Sequence, residues 1–206
     1  KSFKTFLKHA GKDYYNRTVN PPVVRASTLI FKSIEEIRKT QNKSIKDPVG
    51  GHFTYGREGS STIFALQKIL RTLEESYQVF LAPTGFGSVF LAIFSVVRPG
   101  DEILLSDPIY SPTRLLTENY LKEFNIKANF YNPSDINDLK SKISKRTKLI
   151  FVENPGSNTF EFQDLSKIIS LAKKNKIFTA MDNTWGTPYF IKPIKLGFDM
   201  SIVAAT

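Results

Sequence analysis

Residues 102–131 read EILLSDPIYSPTRLLTENYLKEFNIKANFY, and this stretch decides the fold class. An apolar run from Glu102 to Ser106 stops at an Asp-Pro loop, a helix is predicted from Pro112 to Phe124, and a second strand-like run spans Ile126 to Tyr131. Two strands joined by a helix of about ten residues form a βαβ crossover, which makes the strands parallel. The alternation continues with a helix over Asp135 to Ser144, a buried strand over Lys148 to Glu153, a helix over Asp164 to Asn175, and strands over Ile177 to Asp182 and Met200 to Ala204. The expected fold is α/β, a mostly parallel sheet flanked by helices. Ligands of such sheets gather beyond the carboxyl ends of the strands.

Upstream, Ser33 and Glu36 have the spacing of a capping box and predict the start of a first short helix. A second helix is expected from about Ser60 to Glu75, with Ile63, Leu66, Ile69, Leu70 and Leu73 on one stripe. Val79 to Ala82 reads as a short strand, and Gly85 to Val97 as an apolar helix ended by Arg98-Pro99-Gly100-Asp101. Residues 1–50, with Pro21-Pro22 and a polar stretch from Thr40 to Pro48, read as an N-terminal arm carrying the first helix.

Composition narrows the partners. Of the 206 residues, 41% are apolar and 23% charged, ordinary for a soluble globular protein. The longest apolar run, Val89 to Val97, is too short to cross a bilayer, so no membrane partner is expected. Lys1 to Lys12 lacks the apolar core of a secretory signal, and the absence of an initial methionine points to preceding residues. Without cysteine there is no disulfide, thiolate nucleophile or Cys-ligated metal, which fits the cytoplasm. With only His9 and His52, no metal site is expected. The net charge of +10 would suit a polyanion, but the lysines are scattered and often sit beside acids, as in Lys122-Glu123. A compositional bias explains them, and no nucleic-acid partner is expected.

Four segments could carry chemistry. Pro83-Thr84-Gly85-Phe86-Gly87-Ser88 opens a helix, whose free N–H groups and partial positive charge suit a phosphate; it also reads as a tight turn. It lacks the third glycine of a dinucleotide fingerprint and the lysine of a P-loop. Met181-Asp182-Asn183-Thr184-Trp185 ends an apolar strand, so Asp182 is either desolvated and in need of a cation or a loop cap. In Asp107-Pro108-Ile109-Tyr110, the tyrosine could stack on a flat ring and move a proton, or be an ordinary half-buried aromatic. In Tyr55-Gly56-Arg57, the arginine could grip a phosphate bidentately with Tyr55 as a further donor, or be a solvated loop residue. Phosphate donors, an anion for a ring nitrogen and an aromatic stacking partner together make the set that a pyridoxal phosphate site requires.

Those segments, with Glu153-Asn154-Pro155-Gly156-Ser157 and Phe198-Asp199-Met200-Ser201, occur in an order that resembles the Cys/Met-metabolism family of pyridoxal-phosphate enzymes from about Asn16 onward. The resemblance implies the aspartate-aminotransferase-like fold (PLP fold type I) and pyridoxal 5′-phosphate as cofactor. Residues 51–206 would then be the N-terminal part of the cofactor-binding large domain, without its remainder or a C-terminal small domain. Within the family, the Pro-Gly-Ser loop followed by Thr159 and Glu161 is most similar to bacterial cystathionine β-lyases. The implied activity is a carbon–sulfur β-elimination that turns cystathionine into homocysteine, pyruvate and ammonia. Another branch (cystathionine γ-lyase or γ-synthase, methionine γ-lyase) and a non-catalytic binding protein on the same scaffold are the alternatives.

The resemblance also implies roles. Gly85 and Phe86 N–H groups and the Thr206 hydroxyl would hold the cofactor phosphate, Tyr110 would stack on the ring, and Asp182 would pair with its nitrogen. Tyr55 and Arg57 would reach the phosphate in a neighbouring subunit, making at least a dimer that shares active sites, and a homotetramer as two such dimers. Ala204 stands where many relatives have serine and would remove one phosphate donor. The α-proton base would be a lysine placed right after Thr206, with Tyr55 or Tyr110 as catalytic helpers. The sequence ends at Thr206. A part of a chain roughly twice as long, a loss of order, a break at a modified lysine and a naturally truncated protein all fit that ending, and the residue after Thr206 separates the enzyme from the binding protein.

Overall fold

The computed structural model describes residues 2–12 and 17–205. Two compact units divide the chain, Lys1–Phe80 and Leu81–Thr206.

In the first unit, Ser2 caps helix α1 (Phe3–His9), which the sequence reading took as part of an irregular arm. Ser33 caps α2 (Ile34–Lys46) by accepting from the Glu36 N–H, while the Glu36 carboxylate reaches back to the N–H of Lys32 rather than Ser33. Helix α3 (Ser61–Glu74) starts at the Ser60 hydroxyl and stops at Glu75, which takes a left-handed conformation. Its expected apolar stripe is only partly covered, with Ile63 and Leu66 exposed. Val79 to Ala82 joins no ladder among the described residues, so the strand expected there is absent; the Val79 carbonyl instead accepts from the Gln67 side chain.

In the second unit, α4 (Gly85–Val96) is followed by β1 (Glu102–Ser106), α5 (Ser111–Leu115), a π-helical turn (Leu116–Tyr120), α6 (Leu121–Glu123), β2 (Lys127–Tyr131), α7 (Ile136–Lys142), β3 (Thr147–Glu153), α8 (Leu165–Asn175) and β4 (Phe178–Asp182). Two one-turn helices, α9 (Thr187–Phe190) and α10 (Pro193–Leu196), lead to β5 (Met200–Ile202). Among the described residues the strands form one sheet in the order β2-β1-β3-β4-β5, every neighbouring pair parallel.

Period-two alternation sends each strand's side chains to two different layers. Ile103, Leu105, Leu149, Phe151, Ala180 and Ile202 pack with Val89, Ala92, Ile93, Leu116 and Leu121, from α4 and the helix after β1. Leu104, Ile150, Val152 and Met181 pack with Leu139, Ile168, Ile169 and Ala172, from α7 and α8. Both faces are therefore covered, which is why β1 is entirely buried and β3 buried except at Lys148. Val89, Ala92, Ile93 and Val97 follow helical spacing, so one flank of α4 is buried while Phe90 and Leu91 on the other stay exposed. Glu102 is buried at the start of β1, where the Ser144 hydroxyl at 2.6 Å and then the Arg146 guanidinium hold its carboxyl below the usual range. No helix among the described residues is long and apolar enough to cross a membrane.

Phe151 is completely buried in the middle of the central strand. Phe151→Ala should cost about 3–5 kcal/mol of unfolding free energy, lost transfer energy plus the cavity left behind. Urea denaturation reads this directly, and a change in midpoint too small to register would place the core elsewhere.

Candidate functional site at the carboxyl edge of the sheet

β1, β3, β4 and β5 run parallel, so the segments after Ser106, Glu153, Asp182 and Ile202 all emerge at one edge of the sheet. Three of the four sequence-selected segments belong to the second unit and begin at that edge or face it.

The N-terminus of α4 is the first. Thr84 accepts from the Gly87 N–H through its hydroxyl at 2.9 Å and from the Ser88 N–H through its carbonyl at 3.1 Å. The N–H groups of Gly85 and Phe86 precede the first intrahelical donor, Ser88, and none of the hydrogen bonds among the described residues uses them. They are two donors at the positive end of a helix dipole. A β-carbon on Gly85 would lie 2.6 Å from the Ala204 Cβ, so only glycine lets α4 start this close to the chain leaving β5. Ala204 is anchored there by its N–H, which donates to the Thr184 hydroxyl at 3.0 Å. Thr206 lies outside the described residues.

Asp182 ends β4. Its Oδ1 accepts from the Thr184 N–H at 3.0 Å, and burial raises its pKa against the lowering effect of the Thr184 hydroxyl and N–H. Directly beside it in register is Glu153, the last residue of β3. Burial also pushes the Glu153 carboxyl up, the Ser157 hydroxyl and Tyr110 N–H pull it down, and the charge of Asp182 pushes it further up. Two desolvated carboxylates on neighbouring strand ends make a place where a cation is stabilised and a proton is held firmly.

Tyr110 follows β1 with its ring half-exposed at 46%. Its loop is held from one side by Arg114, which donates to the Asp107 carbonyl at 2.6 Å and carboxylate at 2.7 Å while lying 3.8 Å over the Phe130 ring. Trp185 is also exposed at this edge and meets Phe160 edge-on at 5.2 Å. Unused helix N–H donors, a partly buried acid and an exposed aromatic ring suit pyridoxal 5′-phosphate in its three recognisable parts: phosphate, ring nitrogen and ring plane.

Tyr55 and Arg57 belong to the first unit. The Arg57 guanidinium lies 5.2 Å over the Tyr55 ring and is exposed, and the Tyr55 hydroxyl is 3.3 Å from the Ser27 hydroxyl. The pair is thus preassembled as an aromatic–cation unit with the Arg57 guanidinium exposed.

Sequence reasoning gave no individual role to Glu153, Thr184 or Arg114. Glu153 carried the signal that singled out Asp182, an acid closing an apolar strand. Thr184 and Arg114 act through backbone contacts that only the folded chain creates.

The raised pKa of Asp182 has a sign that can be measured. A carboxyl whose folded-state pKa exceeds its unfolded value contributes stability that is fully present below the unfolded pKa and is lost as pH rises through the folded one. In the cofactor-free protein, Asp182→Asn should therefore gain on the wild type as pH climbs above the ordinary aspartate range. Thermal unfolding of both between pH 4 and 8 tests this, and a constant difference would refute the burial argument.

Residues 4–206 match the sequence profile of the family described as Cys/Met metabolism PLP-dependent enzyme. A Saccharomyces cerevisiae protein provisionally named cystathionine β-lyase is 37% identical over 91% of this chain and 52% of its own length. Cystathionine β-lyase of Bordetella avium is 33% identical over 100% of the chain and 52% of its own. The L-alanine/L-glutamate racemase of Wolbachia pipientis is equally similar, at 33% over 98% and 52%. Among solved structures, cystathionine γ-lyase from Lactobacillus plantarum superposes with a TM-score of 0.84 at 26% identity, covering 98% of this chain and 49% of that one. The chain thus spans about half the length of the curated relatives it matches. Its parallel sheet and flanking helices are the corresponding part of PLP fold type I. The chain belongs to the Cys/Met-metabolism family of pyridoxal-phosphate-dependent enzymes.

Proposed function

We propose that the full-length natural polypeptide is a carbon–sulfur lyase that performs β-elimination on cystathionine in the cytoplasm, releasing homocysteine, pyruvate and ammonia. The observation that carries the pyridoxal-phosphate chemistry is Asp182, a partly buried acid at the end of β4, in register with Glu153 and with its pKa raised by desolvation. Bound pyridoxal phosphate supplies an electron sink for charge developing at the substrate α-carbon.

The chain's own residues prepare that chemistry. Asp182 keeps a proton on the ring nitrogen, and the ion pair so formed relieves the desolvation of its carboxylate. The Gly85 and Phe86 N–H groups take the phosphate at the α4 N-terminus, with the Thr206 hydroxyl as a further donor. Tyr110 covers the ring plane, and the Tyr110 or Tyr55 hydroxyl assists proton movement. Tyr55 and Arg57 bind the phosphate in a partner subunit, so the working form is a dimer with shared sites, paired into a homotetramer. Residues 51–206 serve as the N-terminal part of the large domain, and 1–50 as the arm. Elimination at the β- rather than γ-carbon is favoured by the loop Pro155-Gly156-Ser157 with Thr159 and Glu161, whose side chains hydrogen-bond to each other.

Product analysis with cystathionine decides the specificity: pyruvate with homocysteine is expected, whereas 2-oxobutyrate with cysteine means γ-elimination. Asp182→Ala should lower kcat by about 10²–10³-fold, the loss typical of one preorganised electrostatic partner; near-normal turnover would remove the ring-nitrogen role. Arg57→Ala should weaken pyridoxal phosphate binding by about tenfold or more, the loss of a hydrogen bond to a charged group. Unchanged affinity in equilibrium dialysis counts against its phosphate role.

A further inference from the structure

Glu153 is 5% exposed, and every polar group it has is engaged. Its N–H donates to the Ser106 hydroxyl at 3.2 Å, and its carbonyl accepts from the Gln163 amide at 2.9 Å. One carboxylate oxygen accepts from the Tyr110 N–H at 2.6 Å, the other from the Ser157 hydroxyl at 2.5 Å. The same two loops meet again where the Ser157 N–H donates to the Pro108 carbonyl at 2.8 Å. Gly156 lies so close to Pro108 that an added β-carbon would stand 2.7 Å from its ring. The loop after β1 and the loop after β3 are therefore joined into one body, and a single buried carboxylate sits in the joint.

We propose that Glu153 is a positioning residue, whose carboxylate fixes the backbone of Tyr110 against the Pro155–Ser157 loop and so sets the stacking ring relative to Asp182. The inference rests on the functional reading above, since it gives Tyr110 its role beside the cofactor. Glu153 acts through Tyr110 and Ser157 and does not itself accept a substrate proton, because both oxygens already hold short hydrogen bonds from the protein. Its geometry needs two things of the side chain, an acceptor for the Tyr110 N–H and a partner for the Ser157 hydroxyl. A glutamine supplies both, its oxygen accepting from Tyr110 and its amide donating to Ser157. It also removes one of two adjacent carboxylates in a desolvated place.

The test uses Glu153→Gln, Glu153→Ala and Ser157→Ala in the full-length natural polypeptide. Pyridoxal phosphate affinity is measured by fluorescence titration, ring placement by visible circular dichroism of the bound cofactor, and cooperative thermal unfolding serves as the folding control. Glu153→Ala should lose about tenfold in affinity and alter the visible dichroism, as expected when a ring is no longer held in place. Glu153→Gln should stay within about twofold of wild type with the same spectrum, since the joint survives. A folded Glu153→Ala with wild-type affinity and dichroism overturns the proposal, as does a folded Glu153→Gln that fails as badly as alanine, because charge would then matter and not the joint. If Glu153→Ala does not fold, Ser157→Ala decides by cutting the same joint, and an unchanged spectrum there overturns the proposal. Wild-type protein that takes up no pyridoxal phosphate refutes the functional reading and this inference with it; binding by the wild type with an unaffected Glu153→Ala refutes the inference alone.

Discussion

β3 is hydrogen-bonded to β1 on one side and β4 on the other, and the rest of the second unit is arranged around that double pairing. A strand with parallel partners on both edges and helices on both faces has no contact with water except at its ends. Alternate residues must then satisfy two separate cores, which is what Leu149 and Phe151 do on one face and Ile150 and Val152 on the other. The same pairing fixes the ends of the strands in register, and so brings Glu153 beside Asp182. The site inherits its precision from the ladder.

Charge at that edge is arranged against local stability. Both acids lie where burial opposes ionisation, and their mutual repulsion adds to the cost. Groups kept at such a cost are compensated by hydrogen bonds or by a bound cation. Glu153 is compensated by the protein itself, through Tyr110 and Ser157. Asp182 has Thr184 alone as a side-chain partner among the described residues. The two neighbouring carboxylates thus differ in how far the protein itself compensates them.

Most of the second unit was legible because its signals are local. The central strands β1 and β3 are apolar runs ended by turn residues, and α7 and α8 each open on an aspartate cap. Asp182, Gly85, Phe86 and Tyr110 could be singled out as candidates because they follow or face strand ends. The Val79 to Ala82 run failed as a strand because apolar composition cannot supply a ladder partner. The α1 helix was missed because it is short and has no buried side chain to impose a pattern. Glu153 went unassigned because its meaning lies in contacts more than forty positions away along the chain, which no window of sequence displays.

The close approach of Gly85 to Ala204 also says when the start of α4 acquires its neighbour. The two residues stand near opposite ends of the second unit, and every strand of the sheet lies between them in the chain. Contacts of such long sequence separation form late, after the intervening loops have been closed. A nascent chain that has emerged only through β4 already owns Asp182 and Tyr110 but has no strand end to set beside α4. The geometry at the start of α4 is thereby tied to completion of the sheet, so that the cofactor site proposed there would exist only in a molecule whose second unit has finished folding.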